Sequence, residues 1–225
     1  MGKYTSTSTV DYIQHMGSDL TVVNAARVSF NKQSDELDTK DKKLIDYLAK
    51  HEHWSPFSHC FVQFRIKAPL FVARQLVKHQ VGLAWNEVSR RYIDDEPEFY
   101  VPALWRGRAA NNKQGSEGTI ENQTAANQEH ELSHVYAVNT YLHLLELGVA
   151  PEQARMVLPQ TLMTEWFWSG SLYAFARVCK LRLDHHSQEE TAQVAGWIDT
   201  YCTELFPISW QALLASQPTG DNSND

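Results

Sequence analysis

The stretch from Arg74 to Tyr92 reads RQLVKHQVGLAWNEVSRRY and is the most informative segment of this chain. Residues 65–92 contain six lysines and arginines against a single acid, Glu87, so this segment carries a net charge of +5. The whole chain of 225 residues carries −7, which leaves −12 for the remainder. A basic segment inside an acidic protein indicates a local anion such as phosphate, and neighbouring amides and hydroxyls can bind the neutral edges of a ligand. The pattern therefore predicts a nucleotide site.

Around this stretch, the hydrophobic pattern predicts a strand, a helix and a polar loop. Residues 58–66 alternate between apolar and more polar positions, as a half-buried strand does. Pro69 suits the first turn of a helix that runs to about Lys78, and Gly82 is typical of the residue after a helix end. The polar cluster then lies on the loop that follows. Arg74 and Lys78 are four residues apart and share one helix face, so both can approach one ligand.

Elsewhere the pattern predicts mostly helices. Helical spacing or capping residues mark segments at 39–50, 129–147, 151–158 and 188–205. Ser169 or Ser171 can cap another helix that reaches Leu181, and the run from Ser187 to Glu190 has the spacing of a capping box. Residues 161–168 are rich in Thr, Trp and Phe and predict a strand. Because helices outnumber strands, the fold class is α+β.

Length and composition predict one soluble domain with a sizeable core. Hydrophobic residues make up 43% of the chain and charged residues 21%, which are ordinary values for a globular protein. We expect the domain to span residues 1–216, with a mobile surface loop near 106–128, where large apolar residues are scarce. A linker between two domains is the alternative interpretation of that segment. The polar tail at 217–225 is expected to be disordered.

The composition also excludes several classes of protein. No apolar run is long enough for a transmembrane helix, and the N-terminus lacks the apolar core of a signal peptide. The three cysteines, Cys60, Cys179 and Cys202, are widely spaced, which favours a reducing cytoplasmic compartment over a disulfide framework. Cys60 and Cys179 fall on predicted apolar faces, where a thiol is usually inert. A pI near 5.8 argues against a general nucleic-acid binder.

Two further segments contain candidate cations. Arg182 lies between two leucines near a predicted helix end, so its charge is expected to point inward to a partner. An ion pair with Asp184, or a contact with the end of the preceding helix, is an equally good interpretation of that position. Arg155 lies in a short predicted helix beside Glu152, which by itself indicates only a favourably charged helix start.

We predict no metal site. His51, His53 and His59 do not have the spacing of a known zinc site. His185 and His186 are adjacent and are expected to project in different directions, which makes them poor joint ligands. The sequence also contains no P-loop, GxGxxG or GxSxG motif and no convincing nucleophile.

Taken together, these segments resemble the flavin-dependent thymidylate synthases. The signature of that family is Arg-His-Arg, seven variable residues and then Ser, in a context that ends Asn-Glu-x-Ser-x-Arg-Tyr. Here Lys78-His79-Gln80 is followed by eight residues and Ser89, within NEVSRRY at 86–92. The similarity continues in HWSPFSH at 53–59, KAPLFVARQ at 67–75, ARMVLP at 154–159 and LRLD at 181–184.

The resemblance implies an α+β fold in which helices pack on a mostly antiparallel sheet, and it implies conversion of dUMP to dTMP. Methylenetetrahydrofolate would give the carbon and reduced FAD the hydride, with NADPH reducing the flavin. Relatives are homotetramers whose sites are built from several subunits, so the same is expected here. No cysteine adds to the pyrimidine in this family. An arginine held against the ring can instead stabilise its ionised, electron-rich form, and Arg182 is the matching residue.

The same resemblance assigns the remaining site residues, with Arg182 as the catalytic one. The residues expected to bind dUMP are Gln75, Lys78, Glu87, Val88, Ser89, Arg90, Arg91, Arg155 and Arg182. The residues expected to bind FAD are Ser55, Lys78, His79, Gln80, Glu87, Ser171 and Arg177. We expect no nucleic-acid partner and no membrane association.

Two alternatives stay open from the sequence. The basic helix, with Trp85 and Tyr92 as stacking groups, would also suit a module that binds single-stranded nucleic acid. A nucleotide-binding relative without catalysis, in which Gln80 has abolished flavin retention, is the second.

Overall fold

The computed structural model describes residues 2–92, 96–109 and 115–216. Within these ranges it contains both strands and helices, as the α+β class requires. The strands are β1 (Lys3–Thr5), β2 (Thr9–Met16), β3 (Phe61–Pro69), β4 (Leu83–Glu87), β5 (Glu98–Tyr100), β6 (Arg106–Arg108), β7 (Ser116–Thr119) and β8 (Met163–Ser171). The helices are α1 (Asp19–Arg27), α2 (Thr39–Lys50), α3 (Leu70–Leu76), α4 (Gln123–Glu146), α5 (Pro151–Ala154), α6 (Leu172–Arg182), α7 (Glu189–Leu205) and α8 (Pro207–Ala215).

A four-stranded antiparallel sheet in the order β2-β3-β8-β4 forms the centre of the fold. The alternation of β3 directs Val62, Phe64 and Ile66 into the core, where each is at most 1% exposed. Phe61 and Arg65 point to the opposite face and are exposed. This is the two-faced strand that the sequence predicts, although it begins at residue 61 and not at 58.

The inner face of the sheet packs against helices of the C-terminal half. Phe64 meets Phe175 of α6 edge to face, with 5.2 Å between the ring centroids. Burial of an aromatic side chain of this kind contributes about 2–3 kcal/mol to stability. Asp19, at the start of α1, ties the N-terminal half to α8. Its buried carboxylate accepts hydrogen bonds from the backbone N–H groups of Ile208 and Ser209 at 3.0 and 2.8 Å.

The outer face of the sheet carries several exposed apolar side chains. Met16 and Phe61 are cross-strand neighbours and are 59% and 43% exposed. Phe167, on β8, is 40% exposed on the same face, opposite Arg65. Large apolar side chains grouped on one exposed face are typical of a surface that another molecule covers.

Two smaller sheets lie outside the central one. β1 pairs with β5 in parallel, and β6 pairs with β7 in an antiparallel hairpin that precedes the 24-residue helix α4. The segment 106–128, expected as a loop, therefore contains two strands and the first turns of a helix in its described part. Its mobility remains a prediction. The tail at 217–225 lies outside the described residues.

Most elements that have a local sequence signal occur where they are predicted. The helix predicted at 39–50 is α2, and the strand predicted at 161–168 is β8, shifted toward its C-terminal end. Ser171 caps α6 as predicted, because its hydroxyl oxygen accepts a hydrogen bond from the backbone N–H of Ala174 at 3.2 Å. No helix in the described part of the chain is both long enough and apolar enough to cross a bilayer.

Two local predictions are wrong. Residues 83–87 do not belong to a loop but form β4, because they find a hydrogen-bonding partner in β8. The capping box at Ser187 does not form either. Helix α7 has Gln188 as its N-cap, without a side-chain cap bond, and the Ser187 hydroxyl donates to the carbonyl oxygen of Leu181 at 2.9 Å.

Candidate active site

The polar segment that begins at the last residue of β4 lines a cleft with a volume of about 1010 Å³. Glu87, Val88 and Arg90 line it from this segment, and Arg155 lines it from the 3-10 turn that follows α5. Binding sites for small molecules commonly have volumes of about 300–1,000 Å³, so the cleft is large enough for a nucleotide. Four of the residues expected to bind dUMP are thus brought together.

The cations of the cleft differ in how far they are neutralised. Arg65 forms an ion pair with Glu165 across β3 and β8, and Lys67 forms one with Glu98 of β5. Arg155 donates from Nε to a backbone carbonyl oxygen in its own turn at 3.3 Å. Within the described ranges, Arg155 has no carboxylate partner. Its charge is therefore available to an anionic ligand, whereas those of Arg65 and Lys67 are already neutralised.

The carboxylate of Glu87 is held in place at the end of β4. The hydroxyl of Thr164 donates to Oε1 at 2.7 Å, and the indole N–H of Trp85 donates to Oε2 at 3.1 Å. Trp85 is itself fixed, because its ring stacks on Trp166 with 4.3 Å between centroids and 17° between planes. A carboxylate with both oxygens fixed and further lone pairs remaining can accept a hydrogen bond from a ligand hydroxyl.

Ser89 and Arg91 lie in the turn beyond Glu87. The backbone N–H and the Nε of Arg91 both donate to the Ser89 hydroxyl oxygen, at 3.3 and 3.4 Å. The guanidinium of Arg91 also lies over the ring of Tyr92, 4.9 Å from its centroid. These contacts keep a hydroxyl and a cation side by side, a combination that suits a phosphate oxygen.

A second group of candidate residues gathers where α3 and α6 end, and we call it the helix-end cluster. Its members are Gln75, Lys78, His79, Gln80, Arg177 and Arg182. Arg182 donates from Nε to Nε2 of His79 at 3.1 Å and from Nη2 to the carbonyl oxygen of Gln75 at 3.3 Å. Arg182 is therefore held by α3 and not by Asp184, which the sequence left as its alternative partner.

The electrostatics of this cluster keep His79 neutral. Burial lowers the pKa of His79, and the nearby charges of Arg182 and Arg177 lower it further. Burial also lowers the pKa of Arg182, but an arginine starts so high that it stays cationic. Because arginine only donates hydrogen bonds, Nε2 of His79 must be the acceptor and Nδ1 must carry the proton.

Among the other candidates for FAD binding, Lys78, Gln80 and Arg177 belong to this cluster, whereas Ser171 and Ser55 do not. Lys78 and Gln80 are exposed after α3, and Arg177 is exposed on α6. Ser171 is buried, and its backbone N–H donates to the carbonyl oxygen of Gly82 at 3.1 Å, which joins the start of α6 to the start of β4. Ser55 is exposed just before the 3-10 turn at 56–59.

The two groups occupy different parts of the chain surface. All their members are described residues, and the lining of the cleft contains none of the helix-end cluster. One copy of the chain therefore presents a cleft that Arg90 and Arg155 line and, separately, a cationic cluster around a neutral histidine.

Comparison with known proteins identifies the family. A family model described as thymidylate synthase complementing protein matches residues 11–208. The flavin-dependent thymidylate synthase of Thermus thermophilus is 40% identical over 203 residues, which cover 90% of this chain and 74% of that protein. The chain belongs to the flavin-dependent thymidylate synthase family. Its activity is accordingly FAD-dependent synthesis of thymidylate, and the resemblance read from the sequence is confirmed.

Further relatives agree with this membership of the flavin-dependent thymidylate synthases. The enzyme of Thermotoga neapolitana is 37% identical over 212 residues, covering 94% of this chain and 93% of that protein. Among solved structures, the UMP/dUMP methylase PolB from Streptomyces cacaoi, bound with 5-Br dUMP, has a TM-score of 0.86 and 30% identity. The match covers 95% of this chain and 97% of that one.

The cysteines of this flavin-dependent thymidylate synthase are unsuited to nucleophilic attack. Cys60, Cys179 and Cys202 are all buried. Burial raises the pKa of Cys60 to about 12, with a smaller contribution from Asp19. Burial likewise raises the pKa of Cys179 and of Cys202. A thiol in such surroundings is not ionised near neutral pH, which fits a mechanism without a thiolate.

The interpretation of the adjacent histidines needs correction. The rings of His185 and His186 do not diverge, because their centroids are 3.7 Å apart in the turn after α6. With Asp184 they place three possible ligand atoms within 4.8 Å of one another. All three residues are exposed, and exposed acidic groups and histidines often cluster without an ion, so this turn alone does not establish a metal site.

Sequence reasoning missed the residues that hold the candidates in place. The side chain of Gln75 donates from Nε2 to Oε1 of Gln188 at 2.5 Å, and its Oε1 accepts from the hydroxyl of Thr191 at 3.2 Å. Thr164, the partner of Glu87, was also missed. The only signal for Gln188 was the capping spacing of 187–190, which pointed to another role. Trp85, considered as a stacking surface for nucleic acid, is instead stacked on Trp166.

Proposed function

We propose that dUMP binds between the cleft of one subunit and the helix-end cluster of another. The observation that carries this proposal is the separation described above. Residues that match the nucleotide motif of the family fall into two groups, and the lining of the cleft includes only one of them. A complete site then requires that a second copy bring its helix-end cluster to the cleft.

In the cleft, the phosphate of dUMP would meet Arg155 and Arg90, with Ser89 and Arg91 of the adjoining turn. Arg155 is the best placed of these, because it lines the cleft itself and its charge has no carboxylate partner within the described residues. Charge-assisted hydrogen bonds from arginine to phosphate are among the stronger polar contacts. Glu87 cannot bind phosphate, so its fixed carboxylate would accept a hydrogen bond from the sugar.

At the helix-end cluster, Arg182 would face the pyrimidine. Carbon C5 of uracil becomes nucleophilic when negative charge accumulates in the ring, and a guanidinium held against the ring stabilises that charge. Arg182 stays protonated, so it acts by electrostatic stabilisation and not as a base. His79 holds Nε of Arg182 and leaves the second Nη group to a ligand. Gln75 would contact the nucleotide beside it.

The helix-end cluster also fits FAD. Lys78, Arg177 and Arg182 surround a histidine whose pKa is lowered partly by two of these charges, and such a concentration of positive charge suits a diphosphate. Gln80, with a neutral amide where the family has an arginine, would donate to flavin edges without adding charge. Ser55 and Ser171 would contribute hydroxyl contacts. When bound and reduced by NADPH, FAD supplies the hydride, and methylenetetrahydrofolate supplies the carbon.

The outer face of the central sheet supports an assembly of several subunits. Met16, Phe61 and Phe167 are exposed there and would be covered by another copy. A homotetramer, as expected from the resemblance, would provide such contacts together with composite sites.

Mixing two inactive variants tests the composite site. Arg155→Ala and Arg182→Ala subunits should each be inactive alone. When co-expressed, they should regain activity, because random assortment leaves about a quarter of the sites with both arginines. The matched control pairs Arg182→Ala with Arg182→Met, two changes at one position, which cannot complement each other in any assembly. Absence of recovery in the first mixture, despite proven mixed assembly, would contradict the proposal.

A further inference from the structure

We propose that Gln188 and Glu190, supported by Arg106, are positioning residues that fix the direction of the Gln75 side-chain amide and thereby tune the binding of dUMP. This inference rests on the proposed function, in which Gln75 contacts the nucleotide. None of the three lines the cleft, and the hydrogen bonds of the Arg182 side chain in the described part of the chain go to His79 and Gln75, so we assign their effect on dUMP to Gln75.

A continuous chain of hydrogen bonds connects the β6–β7 hairpin to Gln75. Arg106, on β6, donates from Nη2 to both carboxylate oxygens of Glu190 at 2.8 and 2.9 Å. Oε2 of Glu190 also accepts from Nε2 of Gln188 at 3.0 Å. Oε1 of Gln188 in turn accepts from Nε2 of Gln75 at 2.5 Å. The hydroxyl of Thr191 donates to Oε1 of Gln75 at 3.2 Å.

The charged end of this chain determines the direction of every bond in it. A glutamine amide can turn over and exchange its donor for its acceptor, but a carboxylate only accepts and a guanidinium only donates. Because Glu190 only accepts, Gln188 must direct its NH₂ group toward Glu190. The side-chain oxygen of Gln188 therefore faces Gln75, so Gln75 must donate to it from its own NH₂ group. The Oε1 of Gln75 is then left to Thr191.

Burial makes this arrangement firm. The Glu190 side chain is 7% exposed and pairs with an Arg106 side chain that is 25% exposed. Removal of either partner would leave the other charge incompletely compensated. Arg106 is also anchored by its Nε, which donates to the Ser116 hydroxyl at 2.7 Å across the hairpin. The amide of Gln75 is thus directed by the ion pair of Glu190 and Arg106, which begins two hydrogen bonds away through Gln188.

The consequence for Gln75 is preorganisation. Among the described residues, its contacts use one N–H and one lone pair, so one N–H and one lone pair remain for a ligand in fixed directions. A ligand then meets a donor and an acceptor that need no reorientation, which lowers the cost of binding.

Two adjacent glutamates provide a matched test. Glu189 also pairs with Arg106, through Oε2 and Nη1 at 2.9 Å, but its side chain is 71% exposed, and the Gln188 amide donates to Glu190 and not to the Glu189 carboxylate. Glu190→Gln keeps the shape and allows both amides to turn over. We expect it to raise the KM for dUMP about five- to tenfold with kcat within about twofold. Glu189→Gln, which removes the same charge one residue earlier, should leave both constants unchanged.

Two further comparisons separate positioning from a structural role. In a Gln75→Ala background, Glu190→Gln should raise KM no further, because the residue through which it acts is gone. Arg106→Met, which removes the charge beside Glu190, should raise the KM for dUMP. Arg106→Lys keeps that charge, so its KM should stay close to that of the native protein.

Several outcomes would overturn the inference. Equal effects of the two glutamate variants, or a full additional rise in KM in the Gln75→Ala background, would show that Glu190 acts by another route. If Gln75→Ala raises KM but Glu190→Gln does not, the positioning chain fails while the proposed function stands. A normal KM in Gln75→Ala overturns the inference as well, whereas the composite site is judged separately by the complementation of Arg155→Ala and Arg182→Ala.

Discussion

Arg182 donates a hydrogen bond from Nε to Nε2 of His79 over 3.1 Å, and this contact joins the end of α6 to the end of α3. The bond fixes the guanidinium in direction and, in the same geometry, fixes His79 as the neutral tautomer with its proton on Nδ1. Arg182, which we propose to stabilise the ionised pyrimidine, is therefore held by His79 only while that histidine is neutral.

Replacement of Arg182 by alanine should reduce dTMP formation by about 100-fold or more, because a cation positioned at developing negative charge is lost. The fold should survive, since the side chain lies at a helix end and is only partly buried. Turnover measured together with the melting temperature checks both expectations. Arg108→Ala, at an exposed arginine of β6, is the control. Near-normal turnover in Arg182→Ala would refute the assigned role.

Acid should weaken the enzyme through His79. Its folded pKa lies below the ordinary 6.5 because of burial and of Arg182 and Arg177, so the ring is neutral near pH 7. As pH falls through the lowered pKa, Nε2 gains a proton, stops accepting from Arg182 and adds a positive charge beside it. We expect kcat/KM for dUMP to decline on the acid side. His79→Gln, whose oxygen can accept without titrating, should lack that decline, and its persistence there would assign the titration to another group.

Each cysteine should be dispensable for chemistry. Cys60→Ala, Cys179→Ala and Cys202→Ala should each keep most of the turnover, because all three thiols are buried and carry raised pKa values. Native protein should also react slowly with iodoacetamide at pH 7. Complete loss of dTMP formation in one folded variant would restore a thiol mechanism.

The stability of the fold should decrease in mild acid because of His134. This histidine of α4 is fully buried, its Nε2 is 2.7 Å from the Thr161 hydroxyl, and burial together with His130 lowers its pKa to about 4. Between pH 6.5 and about 4 the unfolded chain binds a proton that the folded chain excludes. The free energy of unfolding should therefore fall as pH falls, by at most about 1.4 kcal/mol per pH unit.

Urea unfolding at pH 7, 6 and 5 measures this dependence. His134→Gln should flatten it, because the amide does not titrate. His143→Gln, at a histidine of the same helix whose side chain is 68% exposed, should leave the dependence in place. Equal pH profiles for the native protein and His134→Gln would show that other groups control acid stability.

The success of the sequence analysis follows the range of the interactions involved. The alternation of β3, the amphipathic helix α2 and the cap at Ser171 are set by neighbours within a few residues, so they were predictable. Strand β4 was not, because its five residues become a strand only by pairing with residues 166–170 of β8. Ser187 has the local spacing of a cap, but the turn that follows α6 gives its hydroxyl the carbonyl oxygen of Leu181 as an acceptor, so a competing local contact decides its role.

The site shows the same division. The identities of Arg155, Arg182 and Gln75 could be read from short motifs, since chemistry constrains the residue type at each position. Their distribution between a cleft and a separate cluster could not, because it depends on how distant segments pack. The contact between Gln75 and Gln188 joins residues 113 positions apart in the sequence, and no local pattern predicts it.

The stacked pair of Trp85 and Trp166 gives this enzyme an intrinsic optical probe. The indole N–H of Trp85 donates a hydrogen bond to the carboxylate of Glu87. A ligand that forms a hydrogen bond with that carboxylate therefore changes the polarity around the indole and shifts its fluorescence. Titration of the unlabelled protein with dUMP, followed by tryptophan emission, would then report occupancy of the sugar contact without flavin, folate or turnover.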